Sequence, residues 1–84
     1  MSDHTVTDLH RPIHFTIDGR RYETRKRKQP ARDLLRLAGL DPARYDLGAL
    51  RGHQPQPVRF ADDDIVTIHE AERFVSIRQN ADVA

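Results

Sequence analysis

From Ile13 the chain alternates, with Ile13, Phe15 and Ile17 apolar and His14 and Thr16 polar between them. That two-residue period predicts a strand with one buried face. Asp18-Gly19 follows at once, and such a pair suits a type I′ turn, whose two central residues both need positive φ. With these two as the loop, Ile17 faces Arg20, Phe15 faces Tyr22 and Ile13 faces Thr24. Tyr22 then joins the buried face, and His14, Arg21, Glu23 and Arg25 share the wet one.

The second strand runs into Arg25-Lys26-Arg27-Lys28, too charged to bury, and Pro30 is pre-set for the first turn of a helix. Ala31, Leu34, Leu35 and Ala38 recur at helical spacing, Leu37 widens the stripe, and Arg32, Asp33 and Arg36 face outward. Gly39 is placed to close the helix in the left-handed conformation, with Leu40 folding back on its last turn. Asp41-Pro42 opens a short helical piece through Tyr45, and Leu47 and Leu50 mark a third strand. After the extended Gln54-Pro55-Gln56-Pro57, Val58-Arg59-Phe60 reads as an edge strand, where a missing proline donor is tolerated. Asp62-Asp63-Asp64 is a turn, Ile65 to Ile68 a β-branched run, His69 to Arg73 a polar connection, and Phe74-Val75-Ser76-Ile77 the closing strand.

At 84 residues, 37% hydrophobic and 32% charged, the chain has room for one small domain with a thin core. The polar stretch before Pro12 predicts a flexible leader over 1–12, the folded domain spans 13–78, and 79–84 is a flexible tail. Cysteine is absent, which removes disulfides, thiolate metal sites and thiol nucleophiles from this chain. The first residues lack the basic start and apolar stretch of a signal peptide, and no run reaches membrane-spanning length, so the expected compartment is the cytoplasm. The net charge of +1 gives no global pull toward nucleic acid or lipid.

In order, these elements form the succession of an α+β, β-grasp domain: a mixed four- to five-stranded sheet with one main helix packed across it. Thr16-Ile17-Asp18-Gly19, the run Leu34-Leu35 through Leu37-Ala38-Gly39-Leu40-Asp41-Pro42, Tyr45-Asp46-Leu47 and Glu72-Arg73-Phe74-Val75 resemble the bacterial multiubiquitin-domain family. The resemblance covers Ile13 to Ile77, in a single domain copy. It implies a ubiquitin-like modifier, not itself an enzyme. Its C-terminal carboxylate would be activated by an E1-like adenylating enzyme and passed through an E2-like conjugating enzyme to a target protein. Such proteins occur in operons with an encoded peptidase, and by analogy the system serves antiviral defence.

This chain departs from ubiquitin and sulfur carriers in lacking a terminal Gly-Gly, its last glycine being Gly52. Aligned on the closing strand, Arg78-Gln79-Asn80 takes the place of the ubiquitin tail. The resemblance therefore implies Arg78 and Gln79 as the recognised tail, Asn80 as the functional terminus, and Ala81 to Ala84 as a removable extension. The expected partner face is the sheet side away from the helix: His14, Thr16, Arg21, Glu23 and Arg25, joined by outward residues of the closing strand near Val75. Lys26 and Lys28 carry the only side-chain amines, so they are the acceptor lysines available to amine-linked chains.

Other constellations are weaker. The cations from Arg20 to Lys28 enclose only Tyr22 as an aromatic, and Tyr22 faces the core, which gives no stacking platform for nucleic acid. A solvated rim or a docking patch for an acidic partner fits them better. His10 and His14 are four apart, but Pro12 and the strand break the helical geometry that a metal pair would need. Asp62-Asp63-Asp64 lacks the following ligands of a calcium loop. No metal, cofactor or catalytic residue is expected, and the alternative function is a non-covalent β-grasp binding module.

Overall fold

The computed structural model describes residues 11–79. The expectations for most of the leader, and those at Asn80 and Ala81 to Ala84, lie outside the described residues. Strand β1 (Ile13–Ile17) and strand β2 (Arg20–Thr24) pair antiparallel in the register set by the hairpin: Ile17 with Arg20, Phe15 with Tyr22, Ile13 with Thr24. Asp18 (φ 52°) and Gly19 (φ 83°) both take the left-handed backbone that a type I′ loop requires.

Next comes a three-residue strand β3 (Lys28–Pro30), then helix α1 (Ala31–Leu37). Pro30 lies one residue outside the helix, at its N-cap, where it offers no side-chain acceptor. The free N–H groups of the first turn are satisfied from across the chain. The carbonyls of Asp64 and Asp62 accept from Ala31 and Arg32 at 2.9 and 3.0 Å. At the other end Gly39 adopts φ 78°. The Leu40 amide reaches back to the Leu35 carbonyl at 2.8 Å and the Gly39 amide to Arg36 at 2.9 Å, the two bonds of a Schellman closure.

Strands β4 (Tyr45–Leu50), β5 (Val58–Phe60), β6 (Ile65–Thr67) and β7 (Glu72–Arg78) complete the chain. Five strands form one sheet in the order β2-β1-β7-β4-β5, with β1 and β7 parallel and the other pairs antiparallel. The helix packs across one face, so the protein is an α+β, β-grasp-like domain. Ala31, Leu34 and Leu35 close on Phe15, Ile17, Leu47, Ala49, Val66, Ile68 and Phe74, all buried. Phe15 stacks on Tyr22 at 6.0 Å and meets Phe74 edge-on at 5.9 Å. Among the described residues no helix is long and apolar enough to cross a membrane.

Several expectations need correction. Leu37 does not widen the buried stripe: it is 49% exposed, because α1 ends there and Leu40 covers that flank. The strand expected through Leu47 and Leu50 does form, as β4, with the two leucines on opposite faces. Leu47 and Ala49 enter the core and Leu50 is exposed. Tyr45 opens β4 instead of ending a helical piece. A separate two-stranded ladder pairs β3 with β6, placing Lys28 opposite Thr67 and Pro30 opposite Ile65. The closing strand begins at Glu72, two residues before Phe74.

Candidate functional site

The hairpin and β7 build the outer sheet face. Phe74 points into the core, so Arg73, Val75 and Ile77 point away from the helix. Thr16 lies between Arg21 on β2 and Arg73 on β7. His14 sits between two carboxylates: Nε2 is 3.2 Å from Glu23 and Nδ1 is 3.3 Å from Glu70. Glu70 also accepts the His14 amide at 3.0 Å, while the Ala71 amide donates to the His14 carbonyl at 2.7 Å. These contacts place a loop between β6 and β7 against the middle of β1.

The expected partner residues therefore divide. His14, Thr16 and Arg21, together with Glu70 and Arg73, line a shallow depression of about 360 Å³ on the sheet. Glu23 adjoins it through His14. Arg25 does not continue the sheet: β2 ends at Thr24, and Arg25 lines a neighbouring groove with His14, Arg27 and Glu70. Lys26 and Lys28 are both exposed, one in the loop and one in β3.

The closing strand near Val75 was expected on this face, but the apolar closure over Gly48 was not visible in the sequence. Gly48 is buried on β4, opposite Val75 and Arg59. A Cβ there would stand 2.7 Å from Ile77 Cδ1, 3.0 Å from Pro57 Cβ and 3.3 Å from Val75 Cγ2. Glycine is what lets these three side chains close over the strand, and the pairing register is the only signal that could have exposed it.

At the chain's far end Arg78 is exposed, whereas Gln79 is tied down. Its amide donates to the Arg44 carbonyl at 2.9 Å. Its side-chain nitrogen reaches the carbonyls of Pro42 (3.1 Å) and Tyr45 (3.3 Å) and the carboxylate of Asp46 (2.9 Å). The turn that receives it is itself fixed, with the Asp41 carboxylate accepting from Ala43 at 2.9 Å. At the opposite end of β7, Glu72 is 6% exposed, accepting from His69 N–H at 3.1 Å and from Arg51 at 3.0 Å.

The hydroxyl of Ser76 donates to Asp18 at 2.7 Å, and the Ser76 amide donates to the other carboxylate oxygen at 2.9 Å. This pairing locks the hairpin turn onto β7 and leaves the hydroxyl without an imidazole base. Among the described residues no group of three or more histidine or acidic side chains is arranged to hold a metal ion. The carbonyls of the 62–64 turn serve the helix, as described, and the Asp64 carboxylate accepts from Ala61 at 2.8 Å. The outer face thus comprises a mainly apolar depression rimmed by charged side chains, an arginine-lined groove, an apolar half-face and a pinned end to the closing strand. Compared with models of protein families, with curated proteins and with solved structures, the chain matches none.

Proposed function

We propose that this protein is a ubiquitin-like modifier of a bacterial conjugation system, acting as substrate and not as catalyst. The observation that carries the reading is the path of β7. It runs parallel to β1 through the middle of the sheet and leads straight into Gln79, which is bonded to the 42–46 segment beside it. Resemblance to the multiubiquitin-domain family supplies the chemistry. A carboxylate after Gln79 would attack the α-phosphate of ATP on an E1-like enzyme, releasing pyrophosphate. A partner thiolate would displace AMP to give a thioester, which passes to an E2-like enzyme. An acceptor amine would then displace the thiol and form the amide. The cysteines belong to the partners, since this chain has none.

Pinning of Gln79 constrains that scheme. If an operon-encoded peptidase removes Ala81 to Ala84, only Asn80 lies beyond the anchor, a reach of about 3.5 Å. A partner that acts on that end must therefore draw Gln79 away from Asp46 first. Defence against phage remains the role suggested by family analogy alone.

The reading is tested by coexpression with E1-like and E2-like partners and a search for denaturation-resistant adducts carrying this chain. Adducts that need an active E1-like partner and vanish when Asn80 to Ala84 are deleted support it. Unaltered function after that deletion favours the second reading, a non-covalent binding module that uses the outer sheet face. The apolar closure of Ile77, Val75 and Pro57 over Gly48 is the observation on its side.

A further inference from the structure

Strand β2 is one edge of the five-stranded sheet, and among the described residues no strand pairs with its far side. The bonding of β1 fixes which backbone groups of β2 face outward. The His14 amide donates to Glu70 at 3.0 Å, the His14 carbonyl accepts from Ala71 at 2.7 Å, and the Asp18 amide donates to the Phe74 carbonyl at 3.0 Å. The even positions of β1 therefore bond toward β7. Their partners across the hairpin, Glu23 opposite His14 and Arg21 opposite Thr16, are its non-hydrogen-bonded pairs. The N–H and C=O groups of Arg21 and Glu23 consequently point out of the sheet edge, and both residues are exposed. The opposite edge is blunted, since β5 has three residues and follows Pro57, which has no N–H.

We infer that this edge pairs with a second copy of the chain, β2 antiparallel to β2 about a twofold axis at Tyr22. A twofold contact repeats every pair, so the register decides the electrostatics. An axis at Arg21 sets that arginine against its own copy, and an axis at Glu23 sets glutamate against glutamate; like charges directly opposite destabilise a ladder. An axis at Tyr22 sets Arg21 against Glu23 of the second copy twice, each an opposite-charge pair on the outer face. Arg21 makes no ion pair among the described residues. Glu23 gives one carboxylate oxygen to His14 at 3.2 Å and is 62% exposed, so its other oxygen remains for a guanidinium. Half-buried Tyr22, stacked on Phe15 at 6.0 Å, meets its own copy across the axis in the close position where side chains touch most. Because β1 separates β2 from β7, the pairing does not involve Gln79 and holds in either functional reading.

One short strand from each copy buries far less than the about 1,200 Å² of a stable complex. The dimer is therefore weak, and sedimentation equilibrium of the full chain is followed up to about 1 mM protein. Self-association should appear within that range. Amide exchange at Arg21 and Glu23 should slow as concentration rises, while exchange at Tyr22, bonded to β1 in the hairpin, should not change. Arg21→Glu and Glu23→Arg should each weaken the dimer by about tenfold, since each replaces two attractive pairs with two repulsive ones. Arg21→Glu/Glu23→Arg exchanges the charges at constant net charge and should restore association to within about twofold of wild type. The inference is overturned by a chain that stays monomeric throughout the range, by single variants that associate as wild type does, by a double variant no stronger than the single ones, or by concentration-dependent protection at other amides instead. Circular dichroism of the variants confirms that any loss is not unfolding.

Discussion

Gln79 donates its side-chain amide to one oxygen of Asp46 at 2.9 Å, while Arg59 binds the other oxygen at 3.1 Å. One carboxylate thus joins the end of β7 to β4 and β5. The ion pair itself contributes little, because Arg59 is half exposed. Its geometric effect is larger, since it orients the acceptor that holds Gln79. Gln79→Ala removes three side-chain contacts and leaves the backbone bond to Arg44. Amide exchange at residue 79 should accelerate by about tenfold, matching the loss of about one hydrogen bond's net free energy. Global stability should change by less than about 1 kcal/mol, and unchanged exchange at that amide would show that the side chain does not pin the strand.

Gly48 is where a single methyl group should register. Gly48→Ala presses on the movable end of Ile77 and on the stiff ring of Pro57, at a cost of about 1 kcal/mol. Gly48→Val adds branches in the same space and should cost about 2 to 3 kcal/mol. Urea denaturation checks both, and a valine variant as stable as wild type would mean that the half-face is loosely packed.

The Asp18 to Ser76 link makes a third case. Asp18→Ala loses both bonds to Ser76 and places alanine at φ 52°, for a loss of about 2 kcal/mol. Asp18→Asn keeps an acceptor and suits left-handed backbone, so it should cost about half as much. A double-mutant cycle with Ser76→Ala should return a coupling of about 0.5 to 1 kcal/mol; zero coupling would contradict the bonding geometry.

How legible this molecule is from sequence depends on the element. The hairpin register is readable because a two-residue loop leaves no slack, so every facing pair from Ile13 to Thr24 follows from Asp18-Gly19. Gly39 and Leu40 are readable because the helix stop has a local chemical signature. Leu37 is not, since periodicity alone does not say that a seven-residue helix ends before its last leucine meets the sheet. The β3 to β6 ladder is half legible: Ile65 to Ile68 reads as a β-branched run, whereas Lys28-Gln29-Pro30 carries no hydrophobic pattern. The division of the partner face between His14, Thr16 and Arg21 on one side and Arg25 on the other depends on where β2 stops. That in turn follows from the Thr24 and Gln29 bonds.

The contrast between two helix leucines follows directly. Leu35→Ala empties a fully buried position and should cost about 3 kcal/mol or more, a large share of a small domain's stability. Leu37→Ala should cost less than about 0.5 kcal/mol, because that side chain is half exposed and alanine favours helix. Thermal unfolding of the pair decides it, and similar losses would put Leu37 back in the core.

The reacting group of the proposed modifier is the carboxylate at the chain end beyond Gln79. That assignment is tested most directly by intact mass of the full chain incubated with candidate E1-like and peptidase partners encoded beside it, with and without ATP. A modifier should lose Ala81 to Ala84, or form an ATP-dependent adenylate or a thioester to the partner. An unchanged mass, with both partners active on another substrate, would contradict it.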